Sequence, residues 1–100
     1  MVLRGVSPSF ATGRVKNFSA VTNAATGIYC LTPSGGVTEE GSAPVVTVEW
    51  GTSAGSNLSA YWEEGTHDCA AGQFEVRTYI FAAGGNNVES NNVAFTIAVP

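Results

Sequence analysis

Residues 74–82 read FEVRTYIFA and residues 93–99 read VAFTIAV. In the first run Phe74, Val76, Thr78 and Ile80 fall on one side of an extended chain, and Glu75, Arg77, Tyr79 and Phe81 on the other. In the second, Val93, Phe95, Ile97 and Val99 alternate with Ala94, Thr96 and Ala98. Successive side chains of a strand point to opposite faces, so a period of two marks a strand with one face buried. The link between the runs, AGGNNVESNN, holds the Gly and Asn residues that reach positive φ in hairpin connections. The two runs are therefore expected to form a C-terminal hairpin.

Working outward, turn signals at 23–27, 33–36, 51–57, 65–68 and 84–92 divide the chain into short extended segments. Strands are expected near 13–22, 27–32, 45–51, 59–63, 74–82 and 93–99, with a further short one around 2–6. On the third of these, Val46, Val48 and Trp50 share a face. No secure helix is expected: 20–25 is too short to repay a helix nucleus, and TEEG at 38–41 makes a single turn at most. The pattern predicts an all-β chain, a single antiparallel β-sandwich over residues 1–100, Ig-like or jelly-roll-like, with about six to eight short strands. Phe18, Tyr29, Trp50, Trp62, Phe74 and Phe95 are the aromatic core candidates.

One hundred residues suffice for one domain with a core but leave little for a deep cleft. Charged residues are 12% of the chain, about half the usual share, which suits extracellular β-modules better than cytosolic enzymes. A net charge of −4, with the basic residues Arg4, Arg14, Lys16 and Arg77 mostly scattered, argues against nucleic acid and anionic membrane surfaces. No apolar run approaches the ~20 residues of a membrane span, so no membrane insertion is expected. The start, MVLRGVSPSF, lacks the apolar core of a signal peptide. Either Met1 begins an excised domain, or the protein is exported or assembled by other means.

Cys30 and Cys69 are the two cysteines and His67 the one histidine, too few for a conventional zinc site. In an exported protein a Cys30–Cys69 disulfide is expected, and closing a loop of roughly 40 residues gives about 3–4 kcal/mol on the chain-entropy account. In cytosol the same pair would be two buried thiols.

The densest polar cluster is WEEGTHDC, with Glu63, Glu64, His67 and Asp68. Paired carboxylates can serve acid–base work and His67 a metal, but neighbouring strand residues diverge, and a solvated turn explains the polarity more simply. A Ser–His–Asp arrangement has His67 as its only base, with Asp68 directly adjacent instead of behind the imidazole, and no GxSxG elbow is present. The glycine pairs Gly35–Gly36 and Gly84–Gly85 read as turns, not phosphate loops. No catalytic residue, metal site or cofactor is expected. Lys16, the one lysine, raises a sharper idea: an interstrand crosslink to Asn91 or Asn92 with Glu49 or Glu75 as the buried acid, against the commoner reading of a solvated edge lysine. Asn17 and Asn57 begin glycosylation sequons that chance supplies often.

TGIYCLTP at 26–33, DCAAGQFEVRTY at 68–79 and NVAFTIAVP at 92–100 carry GxYxL, VxTY and AFxxxV motifs in that order. In these the chain resembles uncharacterised β-rich extracellular domains of actinobacteria and related phage or surface proteins, over most of its length and least across 37–65. The resemblance implies an exported or particle-borne β-module, often at the end of a longer protein or fibre, and implies no activity. Some relatives carry a closing Cys where this chain ends in Pro100.

The expected function is a noncatalytic structural or adhesive module, localised extracellularly, at a cell surface or on a virion. It is expected to form a homo-oligomer or larger assembly. Tyr79 and Phe81, placed outward by the alternation, are interface candidates; the opposing reading buries both faces of their strand. A second reading is glycan recognition through Trp50, Tyr61 or Trp62 on an exposed face. A third, from a different class, is a small hydrolase built on Glu63, Glu64, His67 and Asp68.

Overall fold

The computed structural model describes residues 1–65, 67–82 and 84–100. They form an all-β chain of nine strands: β1 (Val2–Leu3), β2 (Ser9–Phe10), β3 (Phe18–Ala25), β4 (Ile28–Pro33), β5 (Val45–Glu49), β6 (Leu58–Glu63), β7 (Phe74–Phe81), β8 (Asn87–Glu89) and β9 (Ala94–Ala98). Two antiparallel sheets result, consistent with a β-sandwich. One has the order β2-β1-β9-β5; the other is five-stranded, β3-β4-β7-β6, with β8 also pairing β7. Two strands escaped the sequence pattern, β2 and β8, because runs of two and three residues are too short to show a period.

Alternation on β7 behaves as expected. Phe74, Val76 and Thr78 are fully buried on the inner face. Phe74 and Val76 join Val2, Phe18, Tyr29, Leu31 and Phe95 in the core, with Trp62, Val46 and Ile97 packed against them. Two edge-to-face ring pairs hold this core together, Phe18–Phe74 at 5.4 Å and Tyr29–Phe95 at 5.3 Å between centroids. Such pairs add about 0.5–1.5 kcal/mol each beyond burial. The Tyr29 hydroxyl, carried into the interior, accepts a hydrogen bond from the Gly5 amide at 3.1 Å.

The expected C-terminal hairpin does not form. β7 and β9 lie in different sheets. Instead β7 turns back into β8, with Tyr79 opposite Glu89, Ile80 opposite Val88 and Phe81 opposite Asn87. The chain then crosses to the other sheet, where β9 pairs with β1 and β5. β4 reaches only as far as Arg77 on this edge of β7, through Ile28. The Gly- and Asn-rich link thus contains a strand of its own, which takes up the edge that β4 leaves open.

Gly27 sits where β4 gives way to β8. Its φ is +72°, and a Cβ there would stand 2.6 Å from the Thr78 carbonyl oxygen and 2.9 Å from the Ser90 nitrogen. The Gly27 carbonyl accepts from the Thr78 amide at 2.8 Å, the Gly27 amide donates to Asn91 Oδ1 at 2.7 Å, and the Thr78 hydroxyl donates to the Ser90 carbonyl at 2.6 Å. These bonds fix the start of the crossover and explain the motif glycine by its lack of a side chain.

Other expectations shift locally. Trp50 is 56% exposed, not in the core. β5 stops at Glu49, whose carboxylate accepts from the Gly51 amide and the Thr52 hydroxyl, both at 3.2 Å, and so caps a short 3-10 turn at Trp50–Thr52 that breaks the alternation. The first long strand begins at Phe18 instead of residue 13, because Asn17 turns at φ +68°. A disulfide joins Cys30 on β4 to Cys69 in the loop before β7, 39 residues apart, with Cα atoms separated by 5.5 Å.

Candidate functional site

The outer face of the five-stranded sheet collects the polar and aromatic residues of interest. Directly paired strand residues share a face. Tyr61 stands opposite Arg77, Glu63 opposite Glu75, and Ser59 opposite Tyr79 across β6 and β7. Glu89 joins from β8, opposite Tyr79. One face therefore carries Tyr61, Glu63, Glu75, Arg77, Tyr79, Phe81 and Glu89.

At its centre Arg77 meets four carboxylates. Its guanidinium donates to Glu75 Oε2 from Nη2 at 2.9 Å and from Nε at 3.0 Å. Nη2 also reaches Asp68 Oδ2 at 2.6 Å, while Nε lies 3.3 Å from Glu63 Oε2 and Nη1 3.8 Å from Glu89 Oε1. The other Glu75 oxygen accepts from the backbone amides of His67 at 3.0 Å and Asp68 at 2.9 Å. Glu75 is fully buried. Burial pushes its carboxyl up, but the Asp68 and His67 amides and the Arg77 guanidinium outweigh it and hold it below the usual carboxylate range. The same Glu75 contact raises Arg77 above its ordinary value.

This geometry sorts the polar cluster of the sequence. Glu63 and Asp68 converge on Arg77, and His67 Nε2 lies 3.6 Å from Glu63 Oε1. Glu64 does not join them; it lines a separate cavity with Glu39 and Glu40. Among the described residues no group of three His, Cys, Asp or Glu side chains is arranged to hold a metal ion. The Glu75 carboxylate, with both oxygens engaged, is a structural anion and not a free base. The alternation puts Glu75 and Arg77 on the outward side, but nothing in the sequence marks them as the hub or brings Glu89 to it. The missing signal is the loop that covers Glu75, which the disulfide at Cys69 ties down.

Beside the hub runs an aromatic row. Tyr61 and Tyr79 lie with ring centroids 6.0 Å apart at 55°. Tyr61 is 54% exposed and Phe81 50%. Trp62 faces the other way, opposite Val76 and against the core. Its Nε1 is buried and has no hydrogen-bond partner among the described residues. Of the five aromatics expected at a binding face, Tyr61, Tyr79 and Phe81 thus share the outer face, Trp62 packs inward, and Trp50 is exposed on the 3-10 turn after β5.

The parts of a Lys16 crosslink are employed elsewhere. Lys16 is exposed and precedes β3. Asn91 Oδ1 accepts from Asn23 Nδ2 and the Gly27 amide, Asn92 Oδ1 accepts from Arg4, Glu49 caps the 3-10 turn and Glu75 pairs with Arg77. The sequon residues Asn17 and Asn57 both adopt positive φ, which accounts for asparagine at each as a turn residue.

No family model matches this chain, and no curated protein or solved structure matches it either.

Proposed function

We propose that the chain is a noncatalytic, extracellular or particle-borne β-module of structural or adhesive kind, which associates with further copies through the outer face of its five-stranded sheet. The observation that carries this reading is the row Tyr61–Tyr79–Phe81, with two of its three rings about half exposed, on a strand whose ionic groups are already paired. Exposed aromatics aligned on a rigid sheet suit contact with another surface. Glu63, Asp68 and Glu75 all converge on Arg77 instead of facing an open site, which weighs against the hydrolase reading. The Cys30–Cys69 bridge fits an oxidising compartment. The likeness of the GxYxL, VxTY and AFxxxV segments to exported and particle-borne domains points the same way.

The tilted Tyr61–Tyr79 pair favours a second reading, stacking on a sugar ring. Native mass by light scattering on unreduced protein separates the two. Assembly above the 10.3 kDa monomer, lost in Phe81→Ser, is the expected result. A monomer that binds a glycan array and loses binding on Tyr61→Ala would establish the second reading in its place. A monomer that binds no glycan would overturn both.

A further inference from the structure

We infer that copies of this chain associate head to tail, the acidic aromatic face of one seating in an apolar, basic-rimmed groove of the next. This rests on the self-association proposed above and gives it a geometry. The groove has a volume of about 400 Å³ and lies among β1, β2, β9 and the segment leading into β3. Its floor and walls include Phe10, Val15, Phe18, Ile97 and Val99, and Arg14 and Lys16 stand on it as well. A cavity of that size, within the ~300–1,000 Å³ of ordinary ligand sites, accepts one or two aromatic side chains.

Charge selects the occupant. Of the four basic side chains, Arg77 is spent on carboxylates, and Arg4 donates to the Thr52 carbonyl and to Asn92. Among the described residues no hydrogen bond or ion pair holds the head groups of Arg14 and Lys16, both of which are exposed. On the outer face the balance is reversed. Four carboxylates share one guanidinium there, and Glu63, Asp68 and Glu89 keep 40%, 51% and 41% of their side chains exposed. The exposed rings of Tyr61 and Phe81 stand among these acids. Apolar matter beside a cluster of acids on one surface meets an apolar hollow flanked by two cations on the other.

The same charges oppose a face-to-face pair, which would bring two sets of carboxylates together. Face and groove share no residue, so the contact is heterologous: every added copy leaves one face and one groove open, and growth ends only if a ring closes. The contact is salt-sensitive, because exposed charges steer it.

The test uses two variants of the whole chain, followed by light scattering and sedimentation. Arg14→Glu/Lys16→Glu spoils the groove and keeps the face; Phe81→Ser/Glu89→Lys spoils the face and keeps the groove. The wild type is expected to assemble at low salt and to lose at least tenfold in association constant at high salt. Each variant alone is expected to be monomeric, and an equimolar mixture to stop at a heterodimer, since only one intact face and one intact groove remain. The milder Arg14→Ala/Lys16→Ala, with an unchanged thermal midpoint, guards against a folding artefact and is expected to weaken assembly in the same direction. A folded groove variant that assembles like the wild type would overturn head-to-tail docking and leave self-association standing. A wild type that stays monomeric at every salt concentration would overturn both.

Discussion

Arg77 and Glu75, two positions apart on one face of β7, are joined at 2.9 and 3.0 Å, and Glu75 has no exposed surface. The pair sits beneath the loop whose His67 and Asp68 amides complete the shell of the Glu75 carboxylate. Removing one partner of a buried pair strands the other, at a cost of about 3–5 kcal/mol. Arg77 retains 16% side-chain exposure and keeps the Asp68 and Glu63 carboxylates, so Glu75→Ala should fall near the lower end, about 3 kcal/mol. Urea unfolding measures it, and a loss below ~1 kcal/mol would show that the pair is dispensable.

The same carboxylate should make stability pH-dependent on the acid side. Its folded pKa is depressed relative to an unfolded value of about 4.3. Its contribution is therefore fully present above that unfolded value, and is lost as pH falls through the lower folded one. The unfolding free energy of the wild type should drop below pH ~4, and Glu75→Gln should flatten that part of the profile. A parallel profile in the variant would assign the acid loss to other groups.

Reduction of Cys30–Cys69 should cost about 2–4 kcal/mol, the usual range for releasing a loop of this size. It should also free the loop that roofs Glu75. Amide exchange at His67 and Asp68 is expected to accelerate more than exchange at Val76 or Thr78. Uniform acceleration across the sheet would mean that the bridge stabilises only globally.

Gly27→Ala tests the junction. A non-glycine residue in left-handed backbone costs about 1–2 kcal/mol. The new methyl would stand 2.6 Å from the Thr78 carbonyl oxygen, which adds overpacking of about 1–3 kcal/mol. Thermal unfolding should show one of the larger losses available from a single methyl group. Gly36→Ala, with positive φ but open space around it, should cost only the backbone share.

What the sequence discloses depends on what each pattern encodes. Phe74, Val76 and Thr78 reveal a buried face because period two records sidedness alone. The partner of that strand is not recorded, so the pattern alone pairs β7 with β9 although Asn87–Glu89 lies in the link ready to pair. Trp50 follows the alternation of Val46 and Val48 on paper, but Glu49 has already capped a turn. The outward side of Glu75 is legible, whereas its burial depends on a loop that Cys69 brings over it from outside the strand. Cys30 and Cys69 left two states open, since pairing depends on compartment and on a Cα distance that no spacing reveals. The alignment of Tyr61 with Tyr79 emerges only from the register of β6 against β7.

The bridge between β4 and the loop before β7 has a mechanical consequence. β1 and β9 are antiparallel neighbours, Val2 beside Phe95, so their outer ends leave the sheet in the same direction. Tension on the two flanks of the chain peels these strands apart bond by bond, the weak direction of a sheet. The peeling cannot run to completion. Cys69 stands 39 positions beyond Cys30, the stretch between them is held in a covalent ring, and at ~3.3–3.6 Å per extended residue the ring withholds roughly 130–140 Å of contour from the pull. Loaded from its ends, the domain yields early, yet about two-fifths of its chain stays out of reach of the pull.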